Sequence, residues 1–168
     1  EMIAVLGPAI QTPGLFGEQK QGSAVERSWL FLSVVLELML GYRYFYENPG
    51  SLMLRFPEID RGFRRLVHLK LSACEVVAAE LVAGEAPTDR QEADFNSLAN
   101  TMSLTLSYWL PYSRILYPRE DRTLTIHRGV LQILSTCAPY MEAEQHGFIE
   151  ECRQLYSAML ASGEYGGV

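Results

Sequence analysis

Apolar positions recur at three- and four-residue steps along most of this chain, a period that predicts helices. The segment from about Ser23 to Glu47 is apolar nearly all round, as expected of a helix buried at the centre of a bundle. Asn48-Pro49-Gly50 should end it, since proline lacks a backbone donor and pushes the preceding residue out of the α region. Pro57 suits the first turn of the next helix, with Glu58 and Asp60 at its positive end. That helix carries Phe63, Leu66, Val67, Leu71, Cys74, Val77, Ala78 and Leu81 on one stripe and should close at Gly84.

A further helix opens at Pro87-Thr88-Asp89, where Thr88 with Gln91, or Asp89 with Glu92, fits a capping box. Its stripe is Phe95, Leu98, Met102, Leu106, Trp109, Tyr112 and Leu116. Thr101 to Ser107 alternates polar and apolar as a strand would, but the helical stripe is far longer and decides the assignment. Pro111 should kink this helix, and Pro118 should end it. Asp121 or Thr123 can cap the next helix, which carries Leu124, Ile126, Val130, Ile133, Leu134 and Cys137 and stops at Pro139. A last helix holds Phe148, Ile149, Cys152, Leu155, Tyr156, Met159 and Leu160. Residues 1–24, punctuated by glycine and proline, read as an irregular lead-in, and 163–168 as a flexible tail. The fold class is all-α: a multi-helix bundle over residues 25–162.

Composition narrows the function. At 168 residues, 48% of them apolar and 20% charged, the chain reads as one packed domain. A net charge of −6 disfavours autonomous binding of nucleic acid. Cys74, Cys137 and Cys152 show no CxxC or CxxH spacing, which suits reduced thiols in the cytoplasm better than a disulfide frame or a zinc site. The longest apolar run, Trp29 to Leu40, contains Ser33 and Glu37 and falls short of the ~20 residues a membrane span needs. No secretory signal is visible.

Catalytic constellations are scarce. His68, His127 and His146 are isolated, and no HExxH, GxSxG, GxxxxGK or GxGxxG is present. Glu142, Glu144, Glu150 and Glu151 lack a fixed ligand spacing and read as a solvated face. The cysteines fall on apolar stripes, where burial keeps a thiol inert. No enzyme, cofactor or metal is therefore expected. Arg55, Arg61, Arg64, Arg65 and Lys70 form a basic cluster, offset by Glu58 and Asp60, that reads first as a solvated helix face.

Aromatic residues are more informative. Tyr42, Tyr44, Phe45 and Tyr46 crowd one helix end, and Tyr108, Trp109, Tyr112 and Tyr117 another. Together with methionines and small hydroxyls on long helices, they could line an apolar cavity with a few orienting polar groups. An ordinary close-packed core is the alternative.

The stretch Leu38 to Phe56, LMLGYRYFYENPGSLMLRF, followed by Pro57-Glu58, resembles the aromatic-rich effector-domain segment of one branch of TetR-type bacterial transcriptional regulators. Ser107-Tyr108-Trp109-Leu110-Pro111-Tyr112 is similar to that branch's "WLxY" signature, and Ala138-Pro139-Tyr140 to its "LxPY" ending, in the same order. The likeness covers about residues 29–160. It implies a homodimerising all-helical domain that encloses a small, mostly apolar effector. By position, Tyr42, Phe45, Met102, Leu106, Trp109 and Tyr112 become the ligand candidates, and Leu116, Leu124, His127, Leu131 and Leu134 the dimer-interface candidates. Nothing here resembles the family's helix-turn-helix, so DNA would be met only through an N-terminal reader expected to lie outside this sequence. A helical adaptor that binds a protein partner, without a small-molecule site, is the second reading, and a small helical enzyme the third.

Overall fold

The computed structural model describes residues 2–11, 22–82 and 89–162, without the side chains of residues 2, 3, 11, 89–93 and 162. The described residues form eight α-helices and one 3-10 turn, and none of them is in a strand. In order these are α1 (Met2–Gln11), α2 (Ala24–Gly41), α3 (Arg43–Glu47), α4 (Pro49–Arg55), α5 (Pro57–Leu81), α6 (Asp89–Leu116), α7 (Arg122–Ser135) and α8 (Ala143–Ser162). The 3-10 turn, Ala138–Tyr140, stands where Pro139 was expected to stop a helix. No described helix is long and apolar enough to cross a membrane.

α2 begins as its sequence dictates. Ser23 accepts from the Glu26 amide, while its own amide donates to Glu26 Oε2 at 2.6 Å, closing a capping box. Val25, Phe31, Leu32, Val35, Leu36 and Met39 bury one face, and Arg27 reaches Glu80 at 3.0 Å to tie α2 to α5. The continuous helix expected as far as Glu47 is broken at Tyr42, where the backbone leaves helical geometry directly after Gly41. Glycine gives helical backbone little support there, and the new direction of α3 buries Tyr46 against the Phe63 ring at 5.7 Å. Asn48-Pro49-Gly50 ends the preceding helical stretch at Glu47, as expected, and at once starts α4, because proline fits the first helical position as well as it breaks an interior one.

Pro57 opens α5 in the same way, with Glu58 and Asp60 in the first turn. Its buried side is Phe63, Leu66, Lys70, Ala73, Cys74, Val77, Ala78 and Leu81. α6 is helical through Thr101–Ser107, so the strand-like alternation has no structural counterpart. Asp121 caps α7 by accepting from the Leu124 amide at 3.0 Å. The closing Gly84, the Thr88 cap and the 163–168 tail lie outside the described residues.

Residues 2–11 correct the irregular lead-in expected for 1–24. α1 packs on α5 and α2, burying Leu6 and Ile10 on one side. Glycine and proline count argued against a helix; an i, i+4 apolar pair with a surface to cover outweighs it. α5 and α6 form the broadest helix pair, and α7 is held between α2, α6 and α8. The core runs between these layers.

Candidate functional site

α6 presents two apolar faces to different surroundings. Leu98, Met102, Leu106 and Trp109 face the core and are buried. Leu104, Tyr108, Tyr112 and Ile115 lie outside and are each at least 50% exposed, at steps that align them as one ridge. Beside the ridge runs a depression of about 370 Å³ between α6 and α7, with Tyr108, Tyr112, Tyr117, Arg128 and Gln132 on its walls. A second depression, about 340 Å³, lies beyond Tyr117 and Arg128 and reaches Glu120, Met159 and Leu160.

Arg128 separates the two. Its guanidinium sits 3.7 Å from the Tyr117 ring centroid and 4.9 Å from that of Tyr156. Nε and Nη2 donate to Glu120 Oε1 at 2.9 and 2.7 Å, and the Tyr156 hydroxyl donates to the same oxygen at 3.0 Å. The cation–π stack and the buried carboxylate hold the guanidinium in one plane. No sequence pattern announces this network, because its members come from three separate segments with no common spacing.

The interior aromatic set is brought together only in part. Tyr42 and Phe45 are half-buried against the core cluster that contains Met102, Leu106 and Trp109, with α3 packed on α6. Met102 and Leu106 are fully enclosed, and Cys137 Sγ lies 3.3 Å from Met102 Sδ. Trp109 donates from Nε1 to the Thr125 carbonyl at 2.8 Å and shows only an edge to the outer depression. Tyr112, its ring 6.1 Å from that of Trp109, stands on the outer ridge instead.

The dimer candidates lie in different surroundings. Leu124, Leu131 and Leu134 are buried in the chain's own core, and His127 packs edge-on against Trp29 at 5.8 Å. Burial pushes the His127 imidazole below its usual value. His127 remains partly exposed, and Leu116, about half exposed, lies on the open side. Apolar periodicity marks every greasy face alike and does not separate a core from a seam.

Lys70 needs correction. Read as part of a solvated basic face, it is in fact completely buried, its Nζ 4.5 Å from the Tyr46 ring centroid and without a hydrogen-bond partner. The buried Tyr46 hydroxyl is also unpartnered. Burial pulls the amine down to about 7, while the thiols of Cys74 and Cys137 are pushed up to about 12 and about 11. A cation over a ring contributes ~0.5–2 kcal/mol, whereas removing an ammonium from water costs several, so the Tyr46 face does not compensate the burial. No group of three or more His, Cys, Asp or Glu converges among the described residues.

The sequence model of TetR, a bacterial transcriptional repressor family, matches residues 14–147. The chain belongs to the TetR family. No curated protein matches it. The crystal structure of a TetR-family transcriptional regulator from Marinobacter aquaeolei VT8 aligns with a TM-score of 0.69, covering 92% of this chain and 71% of that one at 15% identity. At that identity the likeness establishes the TetR-type all-α fold. TetR-family regulators are typically dimeric DNA-binding proteins and not enzymes. A regulatory role for this chain follows.

Proposed function

We propose that this chain is the effector-sensing and homodimerising part of a TetR-type regulator in the cytoplasm. A small, mostly apolar effector enters the core between α3 and α6, and a helix-turn-helix reader outside this sequence contacts the operator. The observation that carries the reading is the split character of α6. Its inner face places Met102, Leu106 and Trp109 in the core against which Tyr42 and Phe45 also pack, and its outer face holds the ridge of Leu104, Tyr108, Tyr112 and Ile115. One helix then touches both the ligand and the second copy.

The exposed apolar ridge supports reading this face as an interaction surface. Paired with its symmetry mate it would bury its own aromatic and aliphatic tips in a self-complementary seam. α3 is a five-residue helix between breaks at Tyr42 and Asn48, without a side-chain cap at its start, and Arg114 of α6 pairs with its Glu47. A ligand that displaces α3 would therefore act on α6 directly, and its effect is limited to its difference in affinity for the two arrangements. Sedimentation of the chain tests the dimer, and thermal shift against small uncharged apolar compounds tests the site. A monomer at micromolar concentration, with no compound raising the melting temperature, would overturn the proposal.

A further inference from the structure

The structure assigns Lys70 and Tyr46 as the anchor for an acidic group, so that the effector is an apolar molecule carrying one carboxylate. This inference rests on the interior effector site proposed above and specifies its chemistry. Lys70 occupies a core position of α5, between Leu66 and Cys74, with a relative exposure of 0%. Its Nζ offers its N–H donors to no acceptor, and the described residues give it only the face of Tyr46. Tyr46 is likewise fully buried, with a hydroxyl free to donate.

Two donors of this strength in one enclosed place need an acceptor, since buried polar groups are almost always paired. Among the described residues no carboxylate is hydrogen-bonded or ion-paired to either, whereas the partly buried cations Arg27 and Arg128 each have one. The remaining titratable neighbour of Lys70 is Cys74, whose thiol is held neutral by burial and whose own neighbour Cys137 is held neutral too. Among the described residues a negative charge is therefore lacking, and a carboxylate supplies both it and the acceptor oxygens. Tyr46 belongs to α3, the short helix next to which the effector enters, so seating the acid would also fix α3.

Calorimetric titration of the whole chain with octanoate and benzoate, each against its uncharged counterpart octanol or benzyl alcohol, tests the assignment. Each carboxylate should bind at least about tenfold tighter than its alcohol, the value of one charge-assisted hydrogen bond. Lys70→Met should abolish that preference while leaving alcohol binding in place, and Tyr46→Phe should reduce it. Equal binding of acid and alcohol by the unaltered chain overturns the anchor but keeps the apolar site. A preference that survives Lys70→Met, or no binding of either carboxylate, also overturns it. Alcohol binding and the sedimentation result judge the effector-sensing reading separately.

Discussion

Trp109 lays the edge of its indole on Gly129, so closely that a Cβ at that glycine would fall 2.5 Å from Nε1 and 2.7 Å from Cδ1. The same atom would meet Leu36 Cδ1 at 2.8 Å. Three helices, α2, α6 and α7, therefore touch at a point that only hydrogen fills. Alanine is worth up to ~1 kcal/mol over glycine in a helix interior, whereas overpacking a core costs ~1–3 kcal/mol. The indole cannot retreat easily, because Nε1 is bonded to the Thr125 carbonyl. Gly129→Ala should thus lower the melting temperature by roughly 2–6 °C, and a rise would show that the contact relaxes freely.

Trp109 itself is a core residue with one wet edge. Trp109→Ala should cost ~3–5 kcal/mol and is a poor probe of ligand response, although the sequence alone recommends it. Trp109→Phe keeps most of the packing and loses the Thr125 bond, for ~1 kcal/mol. Chemical denaturation of the two variants should separate them by at least ~2 kcal/mol.

The Glu120 side chain, 5% exposed, accepts from Arg128 twice and from Tyr156 once. Glu120→Gln removes the charge while preserving shape, leaving the Arg128 guanidinium between two rings with no anion. The loss should be about 2 kcal/mol by urea denaturation, within the range for hydrogen bonds to charged groups. An unchanged midpoint would mean the two cation–π stacks suffice.

The fold class was legible because each long helix advertises a stripe: Phe63 to Leu81 and Leu98 to Trp109 face the core as their spacing requires. What the stripes hid was which of several apolar faces points inward. Leu104 and Ile115 sit on a second stripe of α6, and nothing in their chemistry distinguishes them from Leu106 or Leu110. Lys70 failed for the opposite reason. Its register, four after Leu66 and four before Cys74, is that of a core position, but its side-chain charge argued for the surface. Register deserves more weight than residue type in such a conflict, and the conflict itself marks a site. α1 was missed because its partner surface on α5 is remote in sequence.

Leu104 and Leu131 now make a discriminating pair for the dimer seam. Leu104 is 62% exposed and Leu131 is buried. Leu104→Glu should give a monomer on sedimentation with its melting temperature little changed apart from the loss of pairing, since exposed substitutions stay within about 0.5 kcal/mol. Leu131→Asp should instead lose the fold, because it forces a carboxylate into the core. A Leu104→Glu chain that remains dimeric would place the seam off this ridge.

Stability against pH should carry the signature of Lys70. Its amine titrates near 7 in the folded chain and near 10.5 when unfolded. Between those values the unfolded chain binds the extra proton, so stability rises with pH, and below about 7 the burial penalty is fully present. Cys74 and Cys137 act in the opposite direction, because their folded values lie above the thiol reference of 9.0. Their contribution is constant below 9 and is lost as pH rises beyond it. The two trends leave a window from about pH 7 to 9 in which Lys70 dominates these three groups. Denaturation free energy should climb there in the unaltered chain, and Lys70→Met should flatten the climb while raising stability most at pH 7. Parallel curves for the two proteins would mean that the amine keeps its proton in the folded core.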